Sequence, residues 1–263
     1  MDVVFASNDN YARHLAVAMY SLMDHNQVAE RIRIFILSVD ISRENQEKLS
    51  AVVRRFTREI IFIPMGNLKE KFPYDIETGG FDISTMSRLF IGTMLPEDVE
   101  RVLYLDCDTV VLGSLKKLWN LDLHGKIMGA VLEPTIYNSL KPALGLREND
   151  PYFNAGVLLI DLKNWRKKHI EAQILSFYQK LGGQTFGCDQ DLLNGTLKGK
   201  IRVLSPRYNF FTNYRYFRYN ALAKHSPSYA VVPKKAFIQA KKHPLILHFA
   251  GDERPWKAGN LNH

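Results

Sequence analysis

The sequence predicts an α/β fold over residues 1–263, read as a single domain with a doubly wound sheet flanked by helices. Three observations carry this. Strand-length apolar runs recur along the chain, and most are continuously apolar, as expected of strands buried on both faces. Helical apolar spacing separates the first three runs, giving the order β-α-β-α-β. No internal repeat, low-complexity tract or Pro/Gly-rich linker divides the chain.

The first run, DVVFAS, covers residues 2–7. After it, Leu15, Ala18, Met19 and Leu22 follow the i, i+3, i+4, i+7 spacing of a helix. RIRIFIL (31–37) is the second strand, and Ser42 is placed to cap a helix whose apolar face is Leu49, Val52, Val53 and Phe56. EIIFIPM (59–65), RVLYLD (101–106), KIMGAVLE (126–133) and GVLLIDL (156–162) read as further strands. A helix from about Asn164 to Leu181 ends at Gly182-Gly183. KIRVLS (200–205) and PLILHFAG (244–251) complete the set, and the irregular stretch 206–243 reads as a lid or an acceptor-side subregion.

Composition is that of a soluble globular enzyme, with 46% hydrophobic and 24% charged residues. Two cysteines, Cys107 and Cys188, make no disulfide framework and suit a reducing compartment. The net charge of +8 favours anionic partners such as nucleotides or an acidic membrane face, and also serves solubility. MDVVFASNDN lacks a basic leader region, and no run reaches the ~20 apolar residues of a membrane span. The expectation is a cytoplasmic protein, resting at most on the inner face of a membrane.

Ligands in doubly wound sheets bind beyond the carboxyl ends of strands. Asn8, Asp9 and Asn10 follow the first strand, and Asp106 and Asp108 follow the fourth. In an extended segment, residues i and i+2 point to one side, so the two carboxylates can aim at one point. They repel unless a cation or a shared proton relieves them, and hard divalent ions such as Mg²⁺ or Mn²⁺ take oxygen ligands and bring phosphate with them. A solvated turn is the plainer alternative. His248, at the end of PLIL, can offer an imidazole or simply pack. Gly251 lets backbone approach a phosphate, and Arg254 can hold phosphate charge. Asn154, before Ala155 and Gly156, offers donor and acceptor together, as sugar hydroxyls need, or starts a polar turn. Asp189, Gln190 and Asp191 open a helix, where Asp favours the dipole, or else Asp189 and Gln190 face a reacting sugar.

The order D-x-D, N-A-G-V-L-L-I, D-Q-D-x-L-N and H-F-x-G-x-x-x-P-W, running from VFASNDNY to Trp256, resembles glycosyltransferase family 8. It is most similar to the bacterial lipopolysaccharide and general-stress-type enzymes that work in cell-surface polysaccharide biosynthesis. The resemblance implies a GT-A-type, Rossmann-like mixed sheet and retaining transfer of galactose or glucose from UDP-galactose or UDP-glucose. The acceptor would be a glycan, a lipid-linked sugar or a glycoprotein, with no nucleic acid partner. It implies Mn²⁺ (or Mg²⁺) held by Asp106, Asp108 and His248, with Cys107 as the spacer of the D-x-D motif. Ala6, Asn8, Asn10 and Tyr11 match the uridine-binding start. Arg88 matches a basic residue near the donor sugar and diphosphate. Asn154, Ala155, Asp189 and Gln190 match the sugar pocket, Gly251 and Arg254 the diphosphate contacts, and Glu133 an acidic position near the acceptor. Gln190, Asp189 and Arg88 are thereby the candidate catalytic residues, Gln190 stabilising positive charge during same-face attack. Relatives often carry Asp at Asn8 and Lys at Arg254; Arg keeps the charge but presents a planar fork.

Two rival readings remain at this level. Asp106-Cys107-Asp108-Thr109-Val110 also fits the D-x-D-x-T/V nucleophile motif of haloacid-dehalogenase-type phosphatases, although about 100 residues precede it. RYNFFTNYRYFRY (207–219) has seven aromatic residues and three Arg, a composition that suits stacking on single-stranded nucleic acid such as RNA, contact with an acidic membrane surface or a glycan acceptor, or packing against the core.

Overall fold

The computed structural model describes residues 1–72, 82–134, 138–251 and 254–257. Its ten described strands are β1 (Asp2–Asn8), β2 (Arg33–Val39), β3 (Glu59–Pro64), β4 (Arg101–Leu105), β5 (Thr109–Val111), β6 (Met128–Leu132), β7 (Phe153–Asp161), β8 (Ile201–Val203), β9 (Phe210–Phe211) and β10 (Ile246–His248). Seven form the main sheet in the order β3-β2-β1-β4-β7-β6-β8, and a smaller sheet runs β5-β10-β9.

Continuous apolarity has the meaning expected of it. In β4, Val102 and Tyr104 join the core on one face of the sheet, while Leu103 and Leu105 join the core on the other. Val3 and Phe5 divide from Val4 in the same way. Each such residue removes about 1.5–3 kcal/mol worth of apolar surface from water. β3, at the sheet edge, stays half exposed.

Helix α1 (Ala12–Asp24) buries Leu15, Ala18, Met19 and Leu22 as the spacing predicts. Ser42 caps α2 (Arg43–Arg54), its side chain accepting from Asn45 N at 3.3 Å; Leu49 and Val53 are buried, while Val52 and Phe56 are only partly covered. Short helices α3 (Ile91–Met94) and α4 (Lys116–Trp119) follow. The helix expected over 164–181 is two helices, α5 (Leu162–Lys167) and α6 (Ile170–Lys180), broken at His169 with φ 52°. Buried Trp165 and buried Ile170 are five residues apart, one more than a helical face allows, and the left-handed residue absorbs the extra step. α7 (Asp189–Thr196), α8 (Tyr219–His225) and α9 (Lys234–Lys242) complete the set. Within 206–243, Phe210, Tyr229 and Phe237 anchor short elements to the main core. No described helix is long and apolar enough to cross a membrane.

Strand direction positions the site. β1, β2, β3 and β4 are mutually parallel, but β7 runs antiparallel to β4, with Leu105 opposite Val157. The start of β7 therefore lies at the same edge as the end of β4. β7 begins at Phe153, earlier than the run 156–162 suggested, so Asn154 and Ala155 belong to the strand rather than to a turn before it.

Candidate active site

β4 ends at Leu105, and residues 107–108 turn back into β5. The two aspartates thus converge through a turn and not, as the i, i+2 argument assumed, through a shared strand face. Asp106 N donates to Gly156 O at 2.8 Å, and Thr109 Oγ1 donates to Asp106 O at 2.7 Å, which tightens that turn. β10 pairs with β5, setting His248 opposite Thr109. His248 Nε2 then lies 3.1 Å from Asp108 Oδ1 and 3.7 Å from Asp106 Oδ2. Ligand atoms of the three residues all lie within 4.8 Å of one another. Gly156 makes room for this: a Cβ there would come 2.2 Å from His248 Cε1. One imidazole nitrogen and two carboxylates this close together suit a hard divalent ion.

The electrostatics show the same demand for a cation. Burial disfavours an imidazolium at His248, but Asp108 and Asp106 outweigh it and raise its pKa above the ordinary value. Burial would raise Asp108, but His248 and Arg254 hold it below the usual carboxylate range. Arg88 is buried, its guanidinium 4.4 Å from the centre of the Tyr104 ring. It reaches Asp106 Oδ1 at 2.8 Å and Asp189 Oδ2 at 2.9 Å, and donates to the carbonyls of Thr85 and Ala155. Asp189, the first residue of α7, is pushed up to about 6 by burial, an effect that Arg88 partly offsets.

Beside the carboxylates, Gln190 Oε1 accepts from Ala155 N at 2.9 Å and from Asn154 Nδ2 at 3.0 Å. Glu133 joins the same network, accepting from Tyr214 OH at 2.9 Å and from Asn154 Nδ2 at 3.4 Å. At the end of β1, Asn8 caps the turn leading into α1, accepting from Tyr11 N at 3.1 Å, and it donates to Asp82 Oδ2 at 2.6 Å. Asn10 is exposed on that turn. Arg254 donates to Tyr11 OH at 2.7 Å and reaches Asp108 Oδ2 at 3.5 Å, while Trp256 stacks on His14 with centroids 4.1 Å apart. Arg254 and Trp256 thus lie against the start of α1. Gly251 has φ 81°, where a side chain would be strained.

Cys107 donates to Ala6 O at 3.2 Å, so its thiol points toward β1 and away from the carboxylates, and burial raises its pKa far above that of a reactive thiol. The phosphatase-like reading of the same triplet loses its context. Asp106 follows β4 rather than a first strand, and it is paired with Arg88 and His248. Three contributors escaped sequence reasoning. Asn209 is fully buried and bonded to both His248 and Asn154. Tyr152 hydroxyl contacts Gln190 and Asp191. Asp82 holds Asn8. The available signal for Asn209 was only an amide inside an aromatic run that also holds Asn213.

Comparison with known proteins gives one answer. The model of glycosyl transferase family 8 matches residues 2–259. General stress protein A of Bacillus subtilis (strain 168) is 28% identical over 266 residues, covering 100% of this chain and 89% of that protein. The lipopolysaccharide 1,2-glucosyltransferase of Escherichia coli (strain K12) is 31% identical over 176 residues, covering 64% of this chain and 48% of that protein. The galactosyltransferase LgtC, solved in complex with donor and acceptor sugar analogues, superposes with a TM-score of 0.81 at 30% identity, covering 98% of this chain and 90% of that one. Its likeness identifies the mixed sheet as the GT-A-type arrangement and the chain as a glycosyltransferase. With the family model matched along nearly its whole length, this chain belongs to glycosyl transferase family 8.

Proposed function

We propose that the protein is a retaining, metal-dependent hexosyltransferase that takes galactose or glucose from a UDP-sugar and passes it to a glycan or glycoconjugate acceptor. The observation that carries this reading is the convergence of Asp106, Asp108 and His248 beside the Arg88–Asp189 pair and the Gln190 amide. Asp106, Asp108 and His248 would hold Mn²⁺ or Mg²⁺, which when bound neutralises charge on the departing diphosphate as a Lewis acid. Arg254, whose Nη1 and Nη2 reach Tyr11 and Asp108, is placed to add charge stabilisation when a diphosphate lies between the turn after β1 and the turn after β4. Ala6, Asn8, Asn10 and Tyr11 would form the nucleoside end, with Cys107 supplying backbone between the two carboxylates.

Asn154, Ala155, Asp189 and Gln190 would line the sugar pocket. Gln190 Oε1 already accepts two hydrogen bonds, one from a backbone N–H, so its dipole is aimed but its lone pairs are engaged. That supports same-face attack through an ion-pair-like state, with Gln190 stabilising positive charge, over covalent capture by the amide. Gln190→Ala is expected to lower turnover by at least tenfold and to leave UDP affinity nearly unchanged; lost UDP binding with normal turnover refutes this role.

The acceptor side is proposed near Glu133 and the stretch 206–243. Directly after Tyr214, which donates to Glu133, residues Arg215, Tyr216, Phe217 and Arg218 are exposed, a composition suited to an acidic membrane surface carrying a lipid-linked acceptor. UDP release from a panel of UDP-sugars, with and without Mn²⁺, tests the central reading. Metal-dependent release with one hexose donor is expected, and no metal-dependent turnover with any donor overturns it.

A further inference from the structure

A directional line of hydrogen bonds crosses the site. His248 Nδ1 meets Asn209 Oδ1 at 2.8 Å, and Asn209 Nδ2 donates to Asn154 Oδ1 at 2.8 Å. Asn154 Nδ2 donates to Gln190 Oε1 at 3.0 Å, Gln190 Nε2 donates to Tyr152 OH at 3.3 Å, and Tyr152 OH donates to the buried carboxylate of Asp191. Asp191 in turn accepts from Phe186 N at 2.8 Å and Gly187 N at 2.6 Å, which anchors the far end.

Two consecutive backbone N–H groups of β7 set the direction of this line. Gly156 N donates to Asn154 at 2.8 Å, so the atom it meets must be the carbonyl oxygen. That oxygen also receives Asn209, which must therefore present its NH₂ to Asn154 and its oxygen to His248. An oxygen on that side requires a proton on His248 Nδ1, leaving Nε2 to face Asp106 and Asp108. At the preceding residue, Ala155 N requires that Gln190 present its oxygen, which forces Asn154 to offer its NH₂. One backbone segment thus orients the imidazole and the sugar-pocket amides together.

The buried asparagines outside this line behave differently. Asn26 bonds Leu22 O and Leu115 N, and Asn194 bonds Phe153 N, Phe153 O and Gln190 O. Those side chains serve backbone groups and hold elements together. Asn209 gives both ends of its amide to side chains of the candidate site, and it is completely buried.

We infer that Asn209 is a positioning residue that couples the metal-ligand imidazole to the donor-sugar amides, so that both halves of the site are aligned by β7. The inference rests on the metal-dependent reading above. Its two halves separate by substitution. Asn209→Asp keeps an oxygen acceptor for His248 but cannot donate to Asn154. Asn209→Ala loses both.

The experiment measures Mn²⁺ affinity by electron paramagnetic resonance titration of the full chain, kcat and KM for the UDP-hexose donor, and the melting temperature of the metal-free protein. Asn209→Ala is expected to weaken Mn²⁺ binding by about 10–100-fold and to lower kcat, as loss of an outer partner of a ligating His does. Asn209→Asp is expected to keep Mn²⁺ affinity within about threefold while kcat falls at least tenfold. Since it preserves volume, it remains informative if the alanine variant does not fold. Equal loss of Mn²⁺ affinity in both variants, or wild-type affinity and turnover in Asn209→Ala, overturns the inference. Wild-type protein that binds no Mn²⁺ removes the metal-dependent reading and the inference together, whereas normal wild-type binding with an indifferent Asn209 removes the inference alone.

Discussion

At Gly156 a hydrogen atom stands where a methyl group has no space. The added Cβ would lie 2.2 Å from His248 Cε1 and 2.7 Å from Asp106 Oδ2, and the His248 ring is buried with Phe211 against it. The imidazole cannot retreat cheaply, so Gly156→Ala is expected to weaken Mn²⁺ binding at least tenfold while the chain stays folded; calorimetric titration showing unchanged affinity would place the ion elsewhere. The cysteines give a second residue-scale prediction. Cys107 and Cys188 are buried, and burial pushes the Cys188 thiol up to about 12 and the Cys107 thiol higher still. Neither should react with an aromatic disulfide reagent in the native protein, and both should react in guanidinium; prompt native labelling of one thiol contradicts the packing around it. Legibility at this scale follows chemistry. Asp106, Asp108 and His248 carry distinctive groups at strand ends, so the sequence shows them. Asn209 and Tyr152 matter only through their partners, Asn154 lying 55 residues from the former and Asp191 lying 39 from the latter, and no local pattern reports such pairs.

Among the elements, strand direction was the least readable property. A continuous apolar run says that a strand is buried on both faces, not which way it points, and β7 reads as one more such run. Its reversal is what brings Asn154 and Ala155 to the Asp106 edge instead of the opposite one. The break between α5 and α6 was written in the sequence as the five-residue step from Trp165 to Ile170, but the surrounding helix formers hid it. α5 also performs a task that its charge pattern conceals. Arg166 donates to the carbonyls of Gly92, Leu95, Pro96, Glu97 and Val99, closing the C-terminal end of α3 and the loop that leads to β4. Carbonyls at a helix end need such partners. Arg166→Met keeps the apolar stem and removes the donors, so it is expected to cost about 2–3 kcal/mol of unfolding free energy, read by urea denaturation. Turnover at saturating donor should stay near wild type, because the carbonyls that Arg166 serves belong to none of the candidate site residues; a large loss of kcat with unchanged stability would contradict this division.

For the whole molecule, the site exists only as a meeting of distant segments. Asp106 and Asp108 come from the β4–β5 turn, His248 from β10 about 140 residues later, and Arg88 from the 3-10 helix Ile83–Phe90. In the unfolded chain these groups are far apart, so a ligand that bridges them binds the native state and not the unfolded one. Mass action then sets the effect: at 100 times the dissociation constant, the native state gains about 2.7 kcal/mol. For a chain of this size that corresponds to a rise in melting temperature of about 5–10 °C. Adding UDP with Mn²⁺ to the wild-type protein is expected to produce a rise of this order, larger than that from UDP with a chelator. Asp106→Ala and Asp108→Ala should remain folded without ligand and lose the metal-dependent part of the rise, because each removes one of the three proposed ligands. Arg88→Lys should keep the metal-dependent part but melt lower, since an ammonium cannot span both Asp106 and Asp189 as the guanidinium does. A metal-dependent rise that survives in either aspartate variant would show that the ion is held by some other set of residues, and the convergence of these segments would then need a different explanation.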